Sequence, residues 1–434
     1  MQSMKSSGVE WIGEIPTDWE IIRLKYIANV FNGNSLNDIE KEKFSNGNQG
    51  IPYISTKDVE IDFDRIDYDN GIFIPFGSID YKIALKNNTI ICIEGGNAGR
   101  KIGFLKNDVC FVNKLCCFEA REKCISKYIY YYTKSKSFSG QFNLSINGLI
   151  GGVSIQQLKN FFFIIPPNLK QQEIVYYLDT KCGIIDKAIE KQKKVIEKLK
   201  SYKQSLITEA VTKGLKPTVK MKPSGIEWIG DIPEGWEVRK LKYLSKIKTG
   251  ATPSSDDLKY FDGEYDWFTP SDFNDEAILR NSKRKVSQQA INDNIVPNYP
   301  PHSILIIGIG ATTGKVGYTI SEASSNQQIT AVILIKNQLP KYYLFLLISM
   351  AEVLKSIALY TTLPILNNAT IGQFSLVVPP FPEQQAIVDY LDTKCSEIDN
   401  VINSKQKLIN KLTDYKKSLI YECVTGKKEV MIND

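Results

Sequence analysis

One phrase occurs twice in this chain of 434 residues, and this repeat constrains the fold more than any other feature. SGVEWIGEIPTDWE begins at Ser7 and SGIEWIGDIPEGWE at Ser224, and 13 of the 21 positions compared from these starts are identical. A second repeat, IIPPNLKQQEIVYYLDTKC from Ile164, matches VVPPFPEQQAIVDYLDTKC from Val377 at an offset of 213 residues. Self-similarity at a fixed period indicates a repeated structural unit. The chain is therefore predicted to contain two copies of one unit.

Between the shared segments lie two middle regions of nearly equal length whose sequences match poorly. They cover 147 positions from Trp19 to Pro166 and 143 positions from Trp236 to Pro379. Short runs such as NTIICIEGG and SILIIGIG, typical of strands, alternate there with glycine clusters and helical stretches. We predict a mixed α+β domain with a curved sheet for each middle. Two middle regions of equal length and dissimilar sequence favour one fold that carries two different surfaces.

Each Pro-Pro segment is followed by apolar residues at alternating three- and four-residue spacings, the pattern of a coiled coil. Each pattern covers about 42 residues, or about 63 Å of helix. Polar residues interrupt both seams at matching places, where such residues can fix register and orientation. The predicted seam contains Leu178, Ile185, Ile189, Gln192, Ile196, Leu199 and Leu206 in the first helix, and Leu391, Ile398, Ile402, Lys405, Ile409, Leu412 and Leu419 in the second.

The short connection after the first helix predicts that the two helices run antiparallel. The linker from Gly214 to Pro223 spans at most about 35 Å, so the first helix passes the chain to the second middle near its own C-terminal end. A parallel pair would need the second domain to carry the chain back along the full helix, whereas connections tend to be short. The predicted fold class is α+β, with two globular domains separated by two long helices packed as an antiparallel coiled coil in a pseudo-two-fold internal repeat.

The predicted domain boundaries follow the repeat. Four tryptophans of the repeated phrase, Trp11, Trp19, Trp228 and Trp236, are predicted to anchor the core because they belong to the shared frame. The boundaries are residues 1–166 for the first domain, 167–213 for the first long helix, 214–222 for the linker, 223–379 for the second domain, 380–425 for the second long helix and 426–434 for the tail.

Composition and motif content favour a binding protein over an enzyme. The net charge of +6 permits a nucleic-acid partner without requiring one. The single histidine, His302, supports no Ser-His-Asp set, and the eight cysteines form no C-x-x-C pair. We therefore predict no catalytic and no metal-binding residues. Apolar runs fall short of the roughly 18 residues that span a membrane, and no secretory signal is recognised, so we expect a cytoplasmic location and no membrane partner.

The repeated frame resembles that of the specificity (S) subunits of type I restriction–modification enzymes. The E-W-I-G-x-I-P-x-x-W phrase and the PP-x-x-x-QQ-x-I-V-x-YLDTK segment carry the resemblance in both halves. The second middle is also similar to the family in TGATPSS from Thr249, WFTPSDF from Trp267, GIGATTGKVGY from Gly308 and SNQQITAV from Ser325. In the first middle the corresponding segments read EGGNAGRKIGF and NKLCCF, and Asn113 is paired with Asn326.

The resemblance implies a non-catalytic subunit with two target-recognition domains, each of which reads one half of an asymmetric, interrupted site in double-stranded DNA. It also implies that two methylation (M) subunits dock on the helices and methylate an adenine N6 in each half-site with S-adenosylmethionine that they bind themselves. Restriction (R) subunits, with ATP and Mg, would join through that complex. No cofactor is expected on this chain.

The loop similarities select candidates for DNA contacts. Gln and Asn can read adenine edges, Arg and Lys guanine edges, and Ser and Thr either. Each candidate has an alternative role as an ordinary turn residue or a solvated loop residue. The candidates are Arg100 and Lys114 in the first domain, and Thr252, Ser254, Ser255, Lys315, Asn326, Gln327 and Gln328 in the second.

Two other functions remain open from the sequence. The first is an anti-restriction or scaffold protein that mimics the S subunit and binds M subunits without reading DNA. Its mark would be acidic recognition faces, and the basic net charge disfavours it. The second is an independent DNA-binding protein with a bipartite site, which would bind tightly without M subunits.

Overall fold

The computed structural model describes residues 3–9, 12–45, 49–61, 65–146, 151–274, 276–358 and 365–430. The strands of the first repeat are β1 (Met4–Ser6), β2 (Glu14–Pro16), β3 (Glu20–Arg23), β4 (Ala28–Asn32), β5 (Ile51–Ile54), β6 (Phe73–Ile74), β7 (Ile83–Ala84), β8 (Thr89–Cys92), β9 (Ile102–Phe104), β10 (Val109–Phe111), β11 (Leu115–Ala120) and β12 (Phe162–Ile165). Those of the second are β13 (Met221–Pro223), β14 (Asp231–Pro233), β15 (Glu237–Lys240), β16 (Ser245–Thr249), β17 (Phe261–Phe268), β18 (Ile278–Leu279), β19 (Lys285–Val286), β20 (Ile304–Ile307), β21 (Val316–Thr319), β22 (Ala323–Ser325), β23 (Ile329–Leu334) and β24 (Ser375–Val378).

Two long helices and several short ones accompany these strands. The helices are α1 (Leu24–Ile27), α2 (Asp38–Ser45), α3 (Ser126–Thr133), α4 (Lys136–Leu144), α5 (Ile155–Leu158), α6 (Asn168–Lys213), α7 (Gln288–Asn292), α8 (Pro340–Ser349), α9 (Ala351–Ala358), α10 (Asn368–Gly372) and α11 (Phe381–Val424). None of the described helices combines the length and apolarity needed to cross a bilayer.

The chain divides into two compact units, and each unit contains pieces of both repeats. Unit 1 comprises Met1–Lys194 and Lys405–Asp434, and unit 2 comprises Val195–Ser404. Unit 1 therefore holds the start of α6 and the end of α11, whereas unit 2 holds the end of α6 and the start of α11. The boundaries predicted along the sequence keep each long helix whole, and this division cuts both.

Seven strands of each unit follow the same order in two sheets, and each unit adds one edge strand of its own, β7 in unit 1 and β18 in unit 2. In unit 1 one sheet has the order β4-β11-β8-β9 and a second β6-β5-β10-β7; in unit 2 the orders are β16-β23-β20-β21-β18 and β19-β17-β22. The strand pairs β5–β10 and β17–β22 are parallel, whereas β4–β11 and β16–β23 are antiparallel. Each middle is thus a mixed α+β domain, as predicted, although the sequences match poorly.

A buried glutamine explains the repeated Pro-Pro…Gln-Gln segment at the start of each long helix. Gln171 is 0% exposed, and its amide donates to Pro166 O at 2.9 Å while its Oε1 accepts Ile125 N at 2.9 Å. In the other repeat Gln384 bonds to Pro379 O and Leu339 N in the same way, at 3.0 Å each. A buried carbonyl or N–H without a partner costs free energy, so this glutamine stabilises the turn into the helix.

The long helices run antiparallel in each unit, as the short linker predicts. In unit 1 Lys416 of α11 binds both carboxylate oxygens of Asp186 of α6 at 2.7 Å, while Lys170, farther toward the start of α6, donates to the backbone O of Val430 beyond the end of α11. In unit 2 Lys203 binds Asp399 at 2.6 and 2.8 Å. Lys203 and Lys416 thus each bind an aspartate of the opposite helix.

The residues predicted to form the seam differ in burial along α6 and α11. Gln192 stands apart because its Oε1 is buried with no hydrogen-bond partner among the described residues. The buried residues are Leu178, Ile185, Ile189, Leu391, Ile398, Ile409 and Leu419; the half-buried residues are Gln192, Ile196, Leu199, Leu206, Ile402, Lys405 and Leu412.

The repeated tryptophans differ in burial. Trp19 and Trp236 are each 1% exposed, and they pack against Gly426 and Gly214, which follow the ends of α11 and α6. Trp228 is half-buried against the core of unit 2. Trp11 lies outside the described residues.

Candidate nucleic-acid interface

Four loops of unit 2 meet at the ends of the sheet strands, and they are the segments that the sequence singled out. These loops, residues 249–255, 267–273, 308–315 and 325–330, are called the four loops below. Backbone hydrogen bonds hold them together although they are distant in sequence. The bonds run from Ala251 N to Ser325 O (2.9 Å), from Asn326 N to Phe268 O (3.0 Å) and from Gly308 N to Gln328 O (2.7 Å).

Glycine is required where the first of the four loops meets the last. A Cβ on Gly250 would lie 2.1 Å from Asn326 O and 2.4 Å from Ser325 O. Both atoms belong to backbone, so neither can rotate away as a side chain would. Any larger residue would push the two loops apart.

The amide side chains of the last loop divide into one that shapes the loop and one that is presented outward. Asn326 is 8% exposed; its Nδ2 donates to Gln328 Oε1 at 2.9 Å, and its Oδ1 accepts Gln328 N at 3.2 Å. Gln327 is exposed, and its Oε1 accepts the hydroxyl of Thr252. Gln327 is therefore accessible at the surface of the loop, while Asn326 stabilises the turn.

The remaining candidates of unit 2 belong to the first and third of the four loops. Thr252, Ser254 and Ser255 are all exposed in the first of the four loops, and Ser254 Oγ accepts the backbone N–H of Asp256 at 3.4 Å. Lys315 is exposed at the end of the glycine-rich loop. Exposed hydroxyl, amide and ammonium groups thus occur together in loops that backbone hydrogen bonds join, and such groups can donate or accept hydrogen bonds at the edges of bases.

Unit 1 builds the same loop framework from different residues. Its loops are joined by three backbone hydrogen bonds that match those of unit 2 one for one. Gly33 takes the place of Gly250, since a Cβ there would lie 1.7 Å from Phe111 O. The three bonds run from Asn34 N to Phe111 O, from Val112 N to Ile54 O and from Ile93 N to Lys114 O, each at 2.9 Å.

These bonds fix which residues correspond between the units and correct one pairing made from the sequence. The pairing of Asn113 with Asn326 is wrong by one position, because identity of residue type led it and the backbone hydrogen bonds set the register. The structural equivalents are Val112 with Asn326, Asn113 with Gln327, and Lys114 with Gln328. Asn113 is exposed and so joins the candidates for base contacts, although the loop similarity did not select it.

A polar aromatic residue holds the first loop in each unit. In unit 2 the indole Nε1 of Trp267 donates to Ala251 O at 3.0 Å, and in unit 1 the hydroxyl of Tyr53 donates to Asn34 O at 2.8 Å. Burial raises the pKa of Tyr53 to about 12, so the hydroxyl keeps its proton for this bond at neutral pH. Different residues thus perform one structural task.

A reciprocal cap follows strand β5 in unit 1 and the equivalent strand β17 in unit 2. Ser55 and Asp58 exchange hydrogen bonds around a 3₁₀ turn, and so do Thr269 and Asp272. The carboxylates accept the N–H groups of Ser55 and Thr269, each at 2.7 Å. Such a cap satisfies N–H groups at the start of a turn and holds the loop rigid.

The two candidates of unit 1 are both exposed. Arg100 is exposed next to Gly99 in the glycine-rich loop. Lys114 is also exposed, and its ammonium lies 3.5 Å from Glu94 Oε1. An exposed ion pair of this kind contributes little to stability, so Lys114 can exchange its carboxylate partner for another anion.

Among the described residues, no group of three or more His, Cys, Asp or Glu side chains could hold a metal ion. The eight cysteines are buried as free thiols. Burial raises the pKa of Cys110 and Cys182 to about 11, which keeps these thiols protonated at neutral pH. Their surroundings are those of core residues.

Comparison with known proteins gives consistent matches along most of the chain. The family described as the Type I restriction modification DNA specificity domain matches residues 16–201 and again residues 233–414. The type I restriction enzyme MjaVIII specificity subunit of Methanocaldococcus jannaschii is 25% identical over 443 residues, which cover 96% of this chain and 94% of that protein. The MjaIX specificity subunit of the same organism is 31% identical over 189 residues, 41% of each chain.

A solved structure shares the fold. It comes from work on the assembly and conformational transition of the type I R-M system, and it aligns with a TM-score of 0.68. The alignment covers 95% of this chain and 99% of the other at 14% sequence identity. The fold is therefore retained over the whole length while the sequence has changed at most positions.

Proposed function

Because the chain belongs to the type I restriction–modification DNA specificity family, whose domain it contains twice, we propose that each of its two loop faces reads one half of a bipartite site in double-stranded DNA. The face of unit 2 is the one formed by the four loops, and the face of unit 1 is formed by their structural equivalents. The subunit itself is proposed to be non-catalytic.

The observation that carries this proposal is one backbone framework with two sets of side chains. The three inter-loop hydrogen bonds are the same in both units, yet the side chains that the equivalent loop positions carry differ. Gln327 of unit 2 corresponds to Asn113 of unit 1, and Gln328 corresponds to Lys114. Amides suit adenine and cations suit guanine, so the two faces would prefer different bases. Two unlike faces on one chain favour an asymmetric target over a palindrome.

The chemistry of the complex is proposed to belong to its partners. Two M subunits would dock on the helix pair and methylate an adenine N6 in each half-site with S-adenosylmethionine of their own. R subunits, with ATP and Mg, would join through that complex. The proposal places the complex in the cytoplasm, with access to cellular DNA.

A mimic of the S subunit that sequesters M subunits without binding DNA is less well supported. Such a protein would carry acidic groups where this chain carries exposed cations. Arg100, Lys114 and Lys315 are all exposed in the loops of the two units. Cations at such positions favour contact with phosphates and guanine edges.

The test is long-read detection of N6-methyladenine in cells that express this chain with its M partner. We expect one bipartite motif that disappears when the chain is omitted. A variant in which the exposed residues Thr312 and Lys315 are both replaced by alanine should alter only the half-site read by unit 2. A motif that is unchanged by this replacement, or methylation without any bipartite motif, would contradict the proposal.

A further inference from the structure

A short basic segment flanks the four loops of unit 2, and the loop similarity did not select it. Residues 280–285 read RNSKRK, with four cations in six positions. Arg280, Lys283 and Arg284 are exposed. Lys285 differs, because it is half-buried and its ammonium lies 3.8 Å from Asp266 Oδ1.

The segment is attached directly to the loop that follows β17. Lys283 donates its backbone N–H to Asp272 Oδ1 at 3.0 Å and its ammonium to Ser271 O at 2.8 Å. Arg284 O accepts the backbone N–H of Trp267 at 3.2 Å. The cations therefore keep a set position beside the 267–273 loop.

Arg284 is pre-organised by aromatic contacts. Its guanidinium lies 5.1 Å from the ring centroid of Trp267 and 5.3 Å from that of Phe261. The same Trp267 is bonded to Ala251 of the first loop. Stacking of this kind orders a guanidinium while leaving its N–H groups available for an anion, and among the described residues this guanidinium has no hydrogen-bond or ion-pair partner.

Unit 1 lacks the feature at the equivalent place. Tyr53 N donates to Ile72 O, as Trp267 N donates to Arg284 O, so Ile72 corresponds to Arg284. The stretch that corresponds to residues 280–285 is residues 68–73, YDNGIF, which contains an aspartate and no cation. The basic segment is therefore a property of one unit, beyond the shared framework.

We propose that Lys283 and Arg284 bind backbone phosphates of DNA next to the bases read by unit 2, with Arg280 at the edge of the same contact. This inference rests on the proposed function. Phosphate contacts position a protein and contribute to affinity but carry no sequence information. The segment would thus give unit 2 a stronger electrostatic attraction to DNA than unit 1 has. The base sequence of the half-site would still depend on the four loops.

The test compares two charge-matched double variants of the full chain. In Lys283→Gln/Arg284→Gln the proposed contact is removed; in Arg239→Gln/Lys240→Gln two exposed cations of β15, away from the four loops, are removed instead. Affinity for a fluorescent DNA duplex is measured over a series of salt concentrations. Each lost phosphate contact lowers the slope of log K against log salt by about 0.9, so we expect a decrease of about 2 for the first variant and no change for the second.

Further measurements distinguish failure of this inference from failure of the function. The methylated motif should be unchanged in the first variant, and Arg284→Lys should keep most of the slope. Equal slopes for the two double variants, or an altered half-site, would overturn the inference and leave the proposed function intact. No binding of the duplex by the unmodified chain, with or without its M partner, would contradict both.

Discussion

At the scale of single residues, adjacent amides in one loop perform different tasks. Asn326 is buried and exchanges two hydrogen bonds with Gln328, so its side chain stabilises the loop. Gln327 is exposed, and its side-chain oxygen accepts the hydroxyl of Thr252; a base contact by this residue remains a prediction. The residue at the equivalent position of unit 1 is Asn113. Residue type alone does not separate these roles, because all of them are amides.

Gln327→Ala is expected to relax one position of the half-site read by unit 2 and to leave the other half-site unchanged. Loss of a bidentate base contact lowers discrimination by about 1–3 kcal/mol, enough to make off-target bases visible among methylated sites. Methylome sequencing measures the change. Gln289→Ala, at an exposed position of α7, is the matched control and should keep the full motif. Relaxation in both half-sites would argue against separate reading by the two units.

Asn326→Ala should act through stability instead. The substitution leaves Gln328 N, in a partly buried loop, without its acceptor, which costs about 1–3 kcal/mol. We expect a lower midpoint of urea unfolding together with weaker methylation at an unchanged motif. A changed motif with wild-type stability would instead assign Asn326 to base reading.

The buried cysteines predict loss of stability at alkaline pH. Burial raises the pKa of Cys110 and Cys182 to about 11 and that of Cys116 and Cys423 to about 12, above their values in the unfolded chain. The folded state then binds more protons than the unfolded state above about pH 9, so the free energy of unfolding falls as pH rises from there to about 12. Urea unfolding at pH 8 and pH 10 measures the change.

A second measurement links that loss to the thiols. At pH 8 the native chain should react slowly with a thiol reagent such as DTNB, and the chain in urea should react at all eight cysteines. Rapid reaction of several thiols in the native protein would show that the core is more accessible than the structure indicates.

At the scale of secondary-structure elements, the two long helices are joined by equivalent contacts in each unit. Lys416 binds Asp186 in unit 1, and Lys203 binds Asp399 in unit 2. A tyrosine hydroxyl also reaches the end of the other repeat's helix in each unit: Tyr128 donates to Val424 O and Tyr342 to Val211 O. Each unit therefore depends on a helix from both repeats.

Lys416→Ala is expected to destabilise the protein more than Lys203→Ala. The Lys416 side chain is 10% exposed and that of Asp186 is 28% exposed, whereas those of Lys203 and Asp399 are 28% and 48% exposed. Removing the more buried cation leaves a poorly hydrated carboxylate and should cost about 1–3 kcal/mol, against less than about 1 kcal/mol for the exposed pair. Urea midpoints measure both effects. Lys407→Ala, at an exposed position of α11, serves as the control, and equal effects at positions 203 and 416 would contradict the expectation.

At the scale of the whole molecule, the chain combines one repeated framework with two different surfaces. Three features are common to both repeats. They are the turn into each long helix with its buried glutamine, the antiparallel packing of the long helices, and the three inter-loop hydrogen bonds. The exposed loop residues and the basic segment 280–285 differ between them. The framework can therefore stay constant while the proposed DNA target changes.

Removing one heptad from each long helix is expected to shorten the spacer between the half-sites. Residues 193–199 and 403–409 lie opposite each other in the register set by the Lys–Asp pairs, so their joint removal keeps both pairs in place. Seven residues correspond to about 10 Å of helix, or about three base pairs of B-DNA. Methylome sequencing should show the same half-sites with a shorter spacer. An unchanged spacer would show that the helices do not set the distance between the half-sites. Removal of the heptad from only one helix should abolish methylation.

The repeat, the helical segments and the family could all be inferred from the sequence, because each depends on residues close together in the chain. The seven-residue spacing of the seam residues and the Pro-Pro…Gln-Gln segment are local patterns, and local patterns determine where a helix begins and which face it buries. Comparison with known proteins confirms the family. The individual DNA-contact residues remain predictions.

Only the tertiary structure decided which distant residues come together. It placed the end of each long helix in the unit of the other repeat, corrected the pairing of Asn113 from Asn326 to Gln327, and brought the 280–285 segment next to the four loops. These relations depend on backbone hydrogen bonds between strands dozens of residues apart. Because a main-chain N–H or C=O is the same for every non-proline residue, such pairings leave little trace in residue types, whereas helix periodicity is determined by the side chains themselves.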